Sequence, residues 1–191
     1  MTMTGLFFTG LRPIELFALE ASDVDLEQRW LVVRSSKTGE PRGVPMHEVL
    51  ARLFASLVQR GGKVFRTHDG KPYAVLENAG GQLKMPLKAA RTRSGILDVS
   101  PYTARHTVST QLVVNGVHQY VKDQILGHAV NDMSRRYTNI PQPRIEAINT
   151  IAVPDTWSSL EWWKDSLAWA SKLAGEQGRR TDLERKRLER P

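Results

Sequence analysis

The chain has 191 residues, 40% of them apolar and 25% charged, and its 27 Lys and Arg residues against 20 Asp and Glu residues give a formal net charge of +7. This length and apolar content suffice for one main domain with a buried core, which argues against a wholly disordered chain. The sequence contains no cysteine, which excludes disulfide scaffolds, thiol nucleophiles and cysteine-based zinc sites.

The N-terminus does not resemble a targeting segment. The residues MTMTGLFFTG lack the basic start and the cleavage site of a signal peptide. No apolar run approaches the roughly 20 residues that a transmembrane helix needs. We therefore expect a soluble, cytoplasmic protein that does not associate with membranes.

The positive charge is concentrated in the middle of the chain. Residues 29–105 contain fourteen basic and five acidic residues, whereas residues 1–28 have a net charge of −4. The basic residues that could form a common face are Arg34, Lys37, Arg42, Lys63, Arg66, Lys71, Lys84, Lys88, Arg91 and Arg93. Such a face would attract a polyanion, with nucleic acid as the leading candidate, and the alternative is an ordinary solvated surface.

The first predicted elements are a short helix and a β-hairpin. The helix covers residues 13–19, tolerates proline in its first turn and has Arg12 at its start. Two β-rich stretches follow at residues 29–35 and 43–46. The polar residues between them predict a tight turn with Lys37 at its tip.

Helical patterns dominate the rest of the chain. Apolar spacing predicts a helix over residues 47–60 that ends at the following glycine pair. Residues 74–94 indicate two helical pieces, interrupted at Gly80-Gly81 and at Pro86. Further helices are predicted over residues 101–115, 118–127, 131–139 and 143–150. The predicted fold is α+β and mostly helical, with a small antiparallel β-hairpin sheet packed on a helical bundle.

The last part of the chain has a different composition. A Trp-rich segment at residues 157–173 leads into a charged end, so we expect a main domain at 1–153 and a C-terminal helical appendage with a basic tail at 154–191. The apolar residues at helical spacing in this appendage are Leu160, Trp163, Leu167, Ala170 and Ala174. Such a helix either docks in a partner's groove or folds back on its own domain, and the periodicity does not decide between these alternatives.

Four sequence contexts occur in a fixed order along the chain. They are TGLRPIEL (9–16), SKTGEPRGVPM (36–46), SPYTARHTVST (100–110) and LGHAVNDMSRRYTN (126–139). Each residue type in them is common by itself, whereas the ordered combination is specific. Over about residues 5–150 the chain resembles the tyrosine recombinases, the phage integrase family.

The resemblance implies a tyrosine-recombinase catalytic domain at residues 1–153. A site-specific recombinase or integrase of this family cuts and rejoins double-stranded DNA through a 3′-phosphotyrosine intermediate, and would act at the nucleoid. Because the chain begins only eight residues before the first motif, we expect the family's N-terminal clamp domain to be absent from it. In the family, C-terminal helices pack on neighbouring protomers, which implies self-association on DNA.

By position, Arg12 and Arg105 match the two arginines that grip the scissile phosphate, and Tyr137 matches the nucleophile. A phosphodiester attacked by an oxygen passes through a highly anionic phosphorane, so hydrogen-bond donors must converge on its oxygens. The planar guanidinium suits such bidentate contact. A free phenol has a pKa near 10, so nearby cations must favour the phenolate of Tyr137.

Three further residues match the motifs with different degrees of fit. Lys37 resembles the hairpin lysine that protonates the leaving 5′-oxygen, and His128 matches the histidine that binds the phosphate or the leaving oxygen. Tyr102 stands where the family usually has histidine, three residues before the second arginine. A hydroxyl can donate to the phosphate but is a poor proton acceptor, which puts the base step in doubt.

Each candidate also has a structural interpretation. Arg12 could form an ion pair with Glu15, three residues further along the helix. His128 could bond a carbonyl at a helix end, Lys37 could be a solvated turn residue, and Tyr137 could be an amphipathic residue at a helix edge.

The resemblance assigns supporting positions as well. Glu15 and Asp23 match acidic positions that would hold Arg12 and the hairpin in place, and His106 is interpreted as structural support. No metal or nucleotide motif occurs, and none is expected, because the phosphotyrosine bond retains the energy of the cleaved phosphodiester.

Two alternatives to a recombinase remain open. Tyr102 and the missing clamp domain fit a catalytically inactive DNA-binding remnant of an integrase. Type IB topoisomerases have a related fold and site, so the second alternative is an enzyme that relaxes DNA without recombination.

Overall fold

Helices make up most of the structure, a computed structural model that describes residues 1–34, 41–76, 79–128, 141–173 and 175. The α-helices are α1 (Thr2–Thr9), α2 (Pro13–Ala18), α3 (Glu48–Val58), α4 (Lys84–Ser94), α5 (Pro101–Val114), α6 (Gln119–Leu126), α7 (Pro141–Ile148) and α8 (Glu161–Lys164). Residues 166–173 are also helical. Short 3₁₀ helices cover Ala21–Asp23, Ala79–Leu83 and Asp155–Ser159.

One small sheet accompanies the helices. Its strands are β1 (Val24–Asp25), β2 (Trp30–Val33) and β3 (Arg42–Pro45), all antiparallel and in the order β1-β2-β3. Across β2 and β3, Leu31 pairs with Val44 and Val33 with Arg42. Leu31, Val33 and Val44 are buried, so one face of the sheet belongs to the core. The predicted α+β fold with a small antiparallel hairpin sheet is confirmed.

Helix α1 is absent from the sequence prediction, which assigns no element before residue 13. The helix packs against α5, and its buried residues include the consecutive run Thr4, Gly5 and Leu6. Because α1 is buried on more than one side, its apolar residues do not follow the helical period on which the prediction depends.

The interruption predicted at Pro86 is wrong. The 3₁₀ helix Ala79–Leu83 contains Gly80-Gly81 and continues directly into α4, of which Pro86 is the third residue. A proline in the first turn removes an N–H that the helix leaves unpaired in any case, so α4 tolerates it. The other predicted helices agree with the structure within about two residues at each end, except the helix over 131–139, which lies outside the described residues.

The single amphipathic helix expected in the C-terminal segment is divided in two. Helix α8 ends at Asp165, whose Oδ1 accepts the N–H of Ala168 at 2.9 Å and caps the helix over residues 166–173. Trp163 and Leu167 are partly buried against the core. Within this chain, the described part of the segment therefore folds back on the main domain. No helix among the described residues is long and apolar enough to span a membrane.

Candidate functional site

A buried carboxylate, Glu15, organises the site at the start of α2. Its side chain is 0% exposed. Oε2 accepts the backbone N–H of Arg12 at 2.8 Å, and Oε1 accepts Arg12 Nη1 at 3.1 Å. Arg42 donates from Nη1 to Oε1 at 2.8 Å and from Nη2 to Oε2 at 3.1 Å. The predicted contact between Glu15 and Arg12 is confirmed.

The charges around Glu15 keep it ionised. Burial raises the pKa of the carboxyl, but the hydrogen bonds and positive charges of Arg42 and Arg12 outweigh burial and bring this pKa below its ordinary value. Arg12 keeps 26% of its side chain exposed. Glu15 thus holds the backbone N–H and one guanidinium nitrogen of Arg12, while part of the Arg12 side chain stays exposed.

Arg105 reaches the same region from α5. Its Nη1 donates to the carbonyl of Gly10 at 2.7 Å, and its Nη2 donates to the carbonyl of Leu126 at 2.5 Å. Burial, together with the nearby positive charges of Arg12 and Arg42, lowers the pKa of Arg105 to about 10. The guanidinium remains charged at neutral pH, and the structure brings Arg12 and Arg105 together.

Gly10 makes this approach possible. It ends α1 in the left-handed conformation with φ of 66°. A Cβ there would lie 2.8 Å from Leu126 and 3.0 Å from Val108. Any larger residue would be strained in conformation and would push α5 and α6 away from the carbonyl that Arg105 binds.

Arg42, which the sequence offered only as one of the basic residues of the middle section, is a site residue that sequence reasoning missed. Arg42 lies in β3 two residues before the buried Val44, and its side chain is 16% exposed. Alternation along a strand places residues 42 and 44 on the same, inward face of the sheet. An inward arginine needs a buried acidic partner, so this alternation is the signal that could have identified Arg42.

His128 lies just after α6, beyond Gly127. Its Nδ1 is 3.0 Å from Oδ1 of Asp123, and its backbone N–H donates to the carbonyl of Asp123 at 2.9 Å. The side chain is 42% exposed. The imidazole therefore contacts a carboxylate rather than a helix-end carbonyl, and Asp123, which sequence reasoning missed, fixes its orientation.

Tyr102 lies one turn before Arg105 on α5 and is 48% exposed. It lines a cavity of about 440 Å³ between α4 and α5, together with Gly80, Lys84 and Arg91. A phenol at the mouth of a basic cavity can donate a hydrogen bond to an anion. His106 is exposed on the same helix, so the structure provides no buried supporting role for it.

Two of the predicted catalytic residues, Lys37 and Tyr137, lie outside the described residues. The strand that follows Lys37 is β3, which contacts both α6 and α7. Arg144 of α7 donates from Nη1 to the carbonyl of Gly43 at 3.0 Å and lies 4.6 Å from the centre of the Trp30 ring. Helices on both sides of the segment with Tyr137 are therefore attached to β3.

Some of the basic residues of the middle section form ion pairs. Arg34 is paired with Asp23 at 2.5 Å, which agrees with the predicted role of Asp23 in holding the hairpin. Lys63 is paired with Glu20 at 3.1 Å. Helix α4 differs, because Lys84 and Lys88 are exposed one turn apart on a helix without an acidic residue. Among the described residues, no group of three or more His, Asp or Glu side chains is placed to hold a metal ion.

The chain is similar to known proteins in sequence and in fold. A sequence model described as "Phage integrase family" matches residues 2–143. Tyrosine recombinase XerC of Mycobacterium sp. (strain KMS) is 29% identical over 157 residues, which cover 78% of this chain and 51% of that protein. The chain spans about half the length of the curated relatives that it matches.

Solved structures share the fold. The integrase from mycobacterium phage Brujita has a TM-score of 0.62 at 24% identity, over 81% of this chain and 53% of that chain. The Tn1549 transposon integrase, in complex with transposon right end DNA, has a TM-score of 0.55 at 22% identity, over 82% of this chain and 55% of that chain.

Proposed function

This chain belongs to the phage integrase family, and from that premise we propose that it is the catalytic domain of a site-specific tyrosine recombinase. The observation that supports the activity best is the convergence of Arg12, Arg105 and Arg42 around one buried carboxylate. A cluster of guanidinium groups held in place before substrate binds is what an anionic phosphorane requires.

In the proposed reaction, the Oη of Tyr137 attacks the scissile phosphorus while the bond between phosphorus and the 5′-oxygen breaks. The phenol loses its proton to a base, and the 5′-oxygen gains one from Lys37, so the products are a 3′-phosphotyrosine and a 5′-hydroxyl. Arg12 and Arg105 bind the non-bridging oxygens. His128, oriented by Asp123, binds the phosphate or the leaving oxygen. Religation reverses these steps and needs no cofactor.

Double-stranded DNA is the proposed partner. The basic, acid-free helix α4 and the cavity beside Tyr102 support contact with a phosphate backbone. The Tn1549 integrase, which has this fold, is recorded with transposon end DNA. A chain with this activity would act at the nucleoid.

Self-association on DNA through the C-terminal segment belongs to the same proposal. Apolar residues between Leu160 and Ala170, on both sides of the break at Asp165, are of the kind that dock on a partner. Trp163 and Leu167 pack on the chain's own core. Docking on a second protomer would therefore have to replace these contacts.

A covalent trap tests the proposed activity. The full chain is incubated with a nicked duplex carrying the sequences that flank its own gene, denatured with detergent and examined for a protein–DNA adduct. We expect an adduct with the wild type and none with Tyr137→Phe, since phenylalanine lacks the attacking oxygen, whereas both should bind the duplex equally.

The inactive DNA-binding remnant is the second candidate, and Tyr102 in the position of the usual histidine is the observation that favours it. On this alternative, wild type and Tyr137→Phe both bind the duplex and neither forms an adduct. An adduct accompanied by plasmid relaxation, without exchange between two sites, would instead favour the topoisomerase alternative.

A further inference from the structure

Strand β3 belongs to the second sequence motif and contacts the first and the fourth. Its first residue, Arg42, contacts Glu15 of the first motif through both guanidinium Nη atoms. The same guanidinium lies against Gly127 of the fourth motif, where a Cβ would be 2.4 Å from Arg42 Nε. Arg42 also follows Lys37 by only five residues.

We propose that Arg42 is a positioning residue for the strand-cleavage reaction, which holds the Arg12–Glu15 pair and the Gly127–His128 corner in one fixed arrangement. This inference rests on the proposed recombinase function. It assigns Arg42 no contact with DNA, and its effect is exerted through Arg12, His128 and the hairpin.

The sharing of Glu15 is the first argument. The two carboxylate oxygens are divided between Arg12 and Arg42, and Arg42 takes a contact with each oxygen. Without Arg42, the carboxylate would be left with Arg12 as its cationic hydrogen-bond partner and would pull that guanidinium inward. Arg12 would then be less free to bind a phosphate.

The close packing on Gly127 is the second argument. Among the described residues, Arg42 Nε is a buried nitrogen without a hydrogen-bond partner. It faces the backbone of Gly127, so the position of Arg42 is set by packing as well as by Glu15. A shift of Arg42 would therefore be transmitted to the turn that ends α6 and to His128, the next residue.

The test compares Arg42→Gln and Arg42→Lys with wild type in single-turnover adduct formation on the same nicked duplex. We expect Arg42→Gln to lower the maximal rate about 100-fold, the order of loss that follows from misplaced catalytic groups. The DNA concentration at half-maximal rate should change less than about threefold. Arg42→Lys keeps the charge but cannot form the bidentate contact with Glu15, so we expect an intermediate rate.

The matched control is Arg52→Gln, which removes an exposed arginine of α3 and should leave the maximal rate unchanged. If Arg42→Gln does not fold, as judged by its thermal unfolding, Arg42→Lys provides the rate comparison. A variant that folds and reacts at the wild-type rate overturns the positioning role. An equal loss in rate and in DNA affinity also overturns it, because it would indicate a direct contact with DNA.

A pH profile of the reaction rate distinguishes a positioning role of Arg42 from a general loss of protein stability. Glu15 faces Arg12, Arg42 and Arg105, and Arg42 counters the effect of burial on its pKa. The rate of Arg42→Gln should therefore fall as the pH is lowered from 7 to 5, while Arg42→Lys keeps the wild-type profile. Parallel profiles for both variants contradict the proposal. Absence of any wild-type adduct overturns the proposed function itself, together with this role for Arg42.

Discussion

Gly127 is the residue at which the hairpin motif and the histidine motif meet. It ends α6 with φ of 64°, a conformation that glycine adopts with little cost. It also lies directly against the guanidinium of Arg42. Gly95 ends α4 in the same way, with φ of 71°, but a Cβ there would have no atom within 4 Å. The two glycines share a backbone requirement and differ in their surroundings.

This difference yields a prediction for alanine substitutions. Gly95→Ala should lower the free energy of unfolding by about 1 kcal/mol, the cost of a left-handed alanine. Gly127→Ala should cost roughly 1–3 kcal/mol more, because its methyl group must displace Arg42 from Glu15. Urea unfolding of both variants measures the two costs.

The variant Arg42→Ala supplies the control for Gly127→Ala. In that background the extra cost of the new methyl group should disappear, because the side chain that it displaces is gone. An equal loss in the free energy of unfolding for Gly95→Ala and Gly127→Ala in the wild-type background would contradict the packing argument. It would show that the Arg42 side chain can move away from the new methyl group at little cost.

At the residue scale, the motifs identified the side chains that we propose to act on a substrate better than they identified the side chains that hold them in place. Arg12, Arg105 and His128 could be named from local sequence contexts, and Arg12 and Arg105 lie close together in the structure. The partners of these side chains could not be named so directly. Arg42 meets Glu15 across 27 positions of the chain, and such a pairing depends on how the sheet packs on α2.

At the element scale, the predictable parts are those with one buried face. Strand β2 alternates between partly buried and buried residues, and α3 buries Leu50, Leu53, Phe54 and Leu57 at helical spacing. Helix α1 could not be recognised because it is buried on several sides. The break at Asp165 depends on a cap, a single hydrogen bond from the N–H of Ala168 to the Asp165 side chain. This bond competes with the backbone bonds of a continuous helix.

His47 connects α3 with the residues that follow α7. It is buried, and its Nδ1 accepts the N–H of Val49 at 3.0 Å at the start of the helix. Because Nδ1 is an acceptor, Nε2 carries the proton and donates to the carbonyl of Ile151 at 3.0 Å. The ring also packs edge-on against Phe8 of α1, with centroids 4.9 Å apart.

This arrangement predicts a loss of stability at mildly acidic pH. Burial lowers the pKa of His47 below its usual 6.5, and the nearby charges of Glu48 and Arg29 have opposing effects. The unfolded chain therefore binds the proton more readily, so the stabilisation is complete above pH 6.5 and is lost as the pH falls through the folded pKa. Between pH 7 and 5, the free energy of unfolding should therefore decrease because of this residue.

Urea titrations of His47→Asn at pH 7 and pH 5 check this prediction. Asparagine can accept the N–H of Val49 but does not titrate, so the pH-dependent decrease should be smaller in this variant than in the wild type. His106→Asn, at an exposed position, should retain the full wild-type decrease. Equal decreases in wild type and His47→Asn would exclude His47 as the source. Glu15 does not interfere, since its lowered pKa places its contribution below about pH 4.5.

At the scale of the whole molecule, the acidic and basic residues are distributed unequally between interior and surface. The N-terminal section has a net charge of −4, but Glu15 and Asp23 are buried and paired with arginines of the hairpin. The sequence count therefore overstates the negative surface of this section. Helix α4 presents its cations without acidic neighbours on the same helix, which makes it the strongest candidate for a phosphate-binding surface.

This distribution predicts which charges control the salt dependence of DNA binding. Each neutralised phosphate contributes about 0.9 to the slope of log K against log salt. Changing both Lys84 and Lys88 to Gln should therefore lower that slope by about two, with weaker binding at every salt concentration and on any duplex sequence. Fluorescence anisotropy on an arbitrary labelled duplex between 50 and 200 mM salt measures this slope, independently of cleavage.

The charge-matched control changes the exposed Arg52 and Lys172 to Gln, which removes the same net charge from other surfaces. Equal slopes for the two double variants would mean that net charge, rather than α4, governs the attraction.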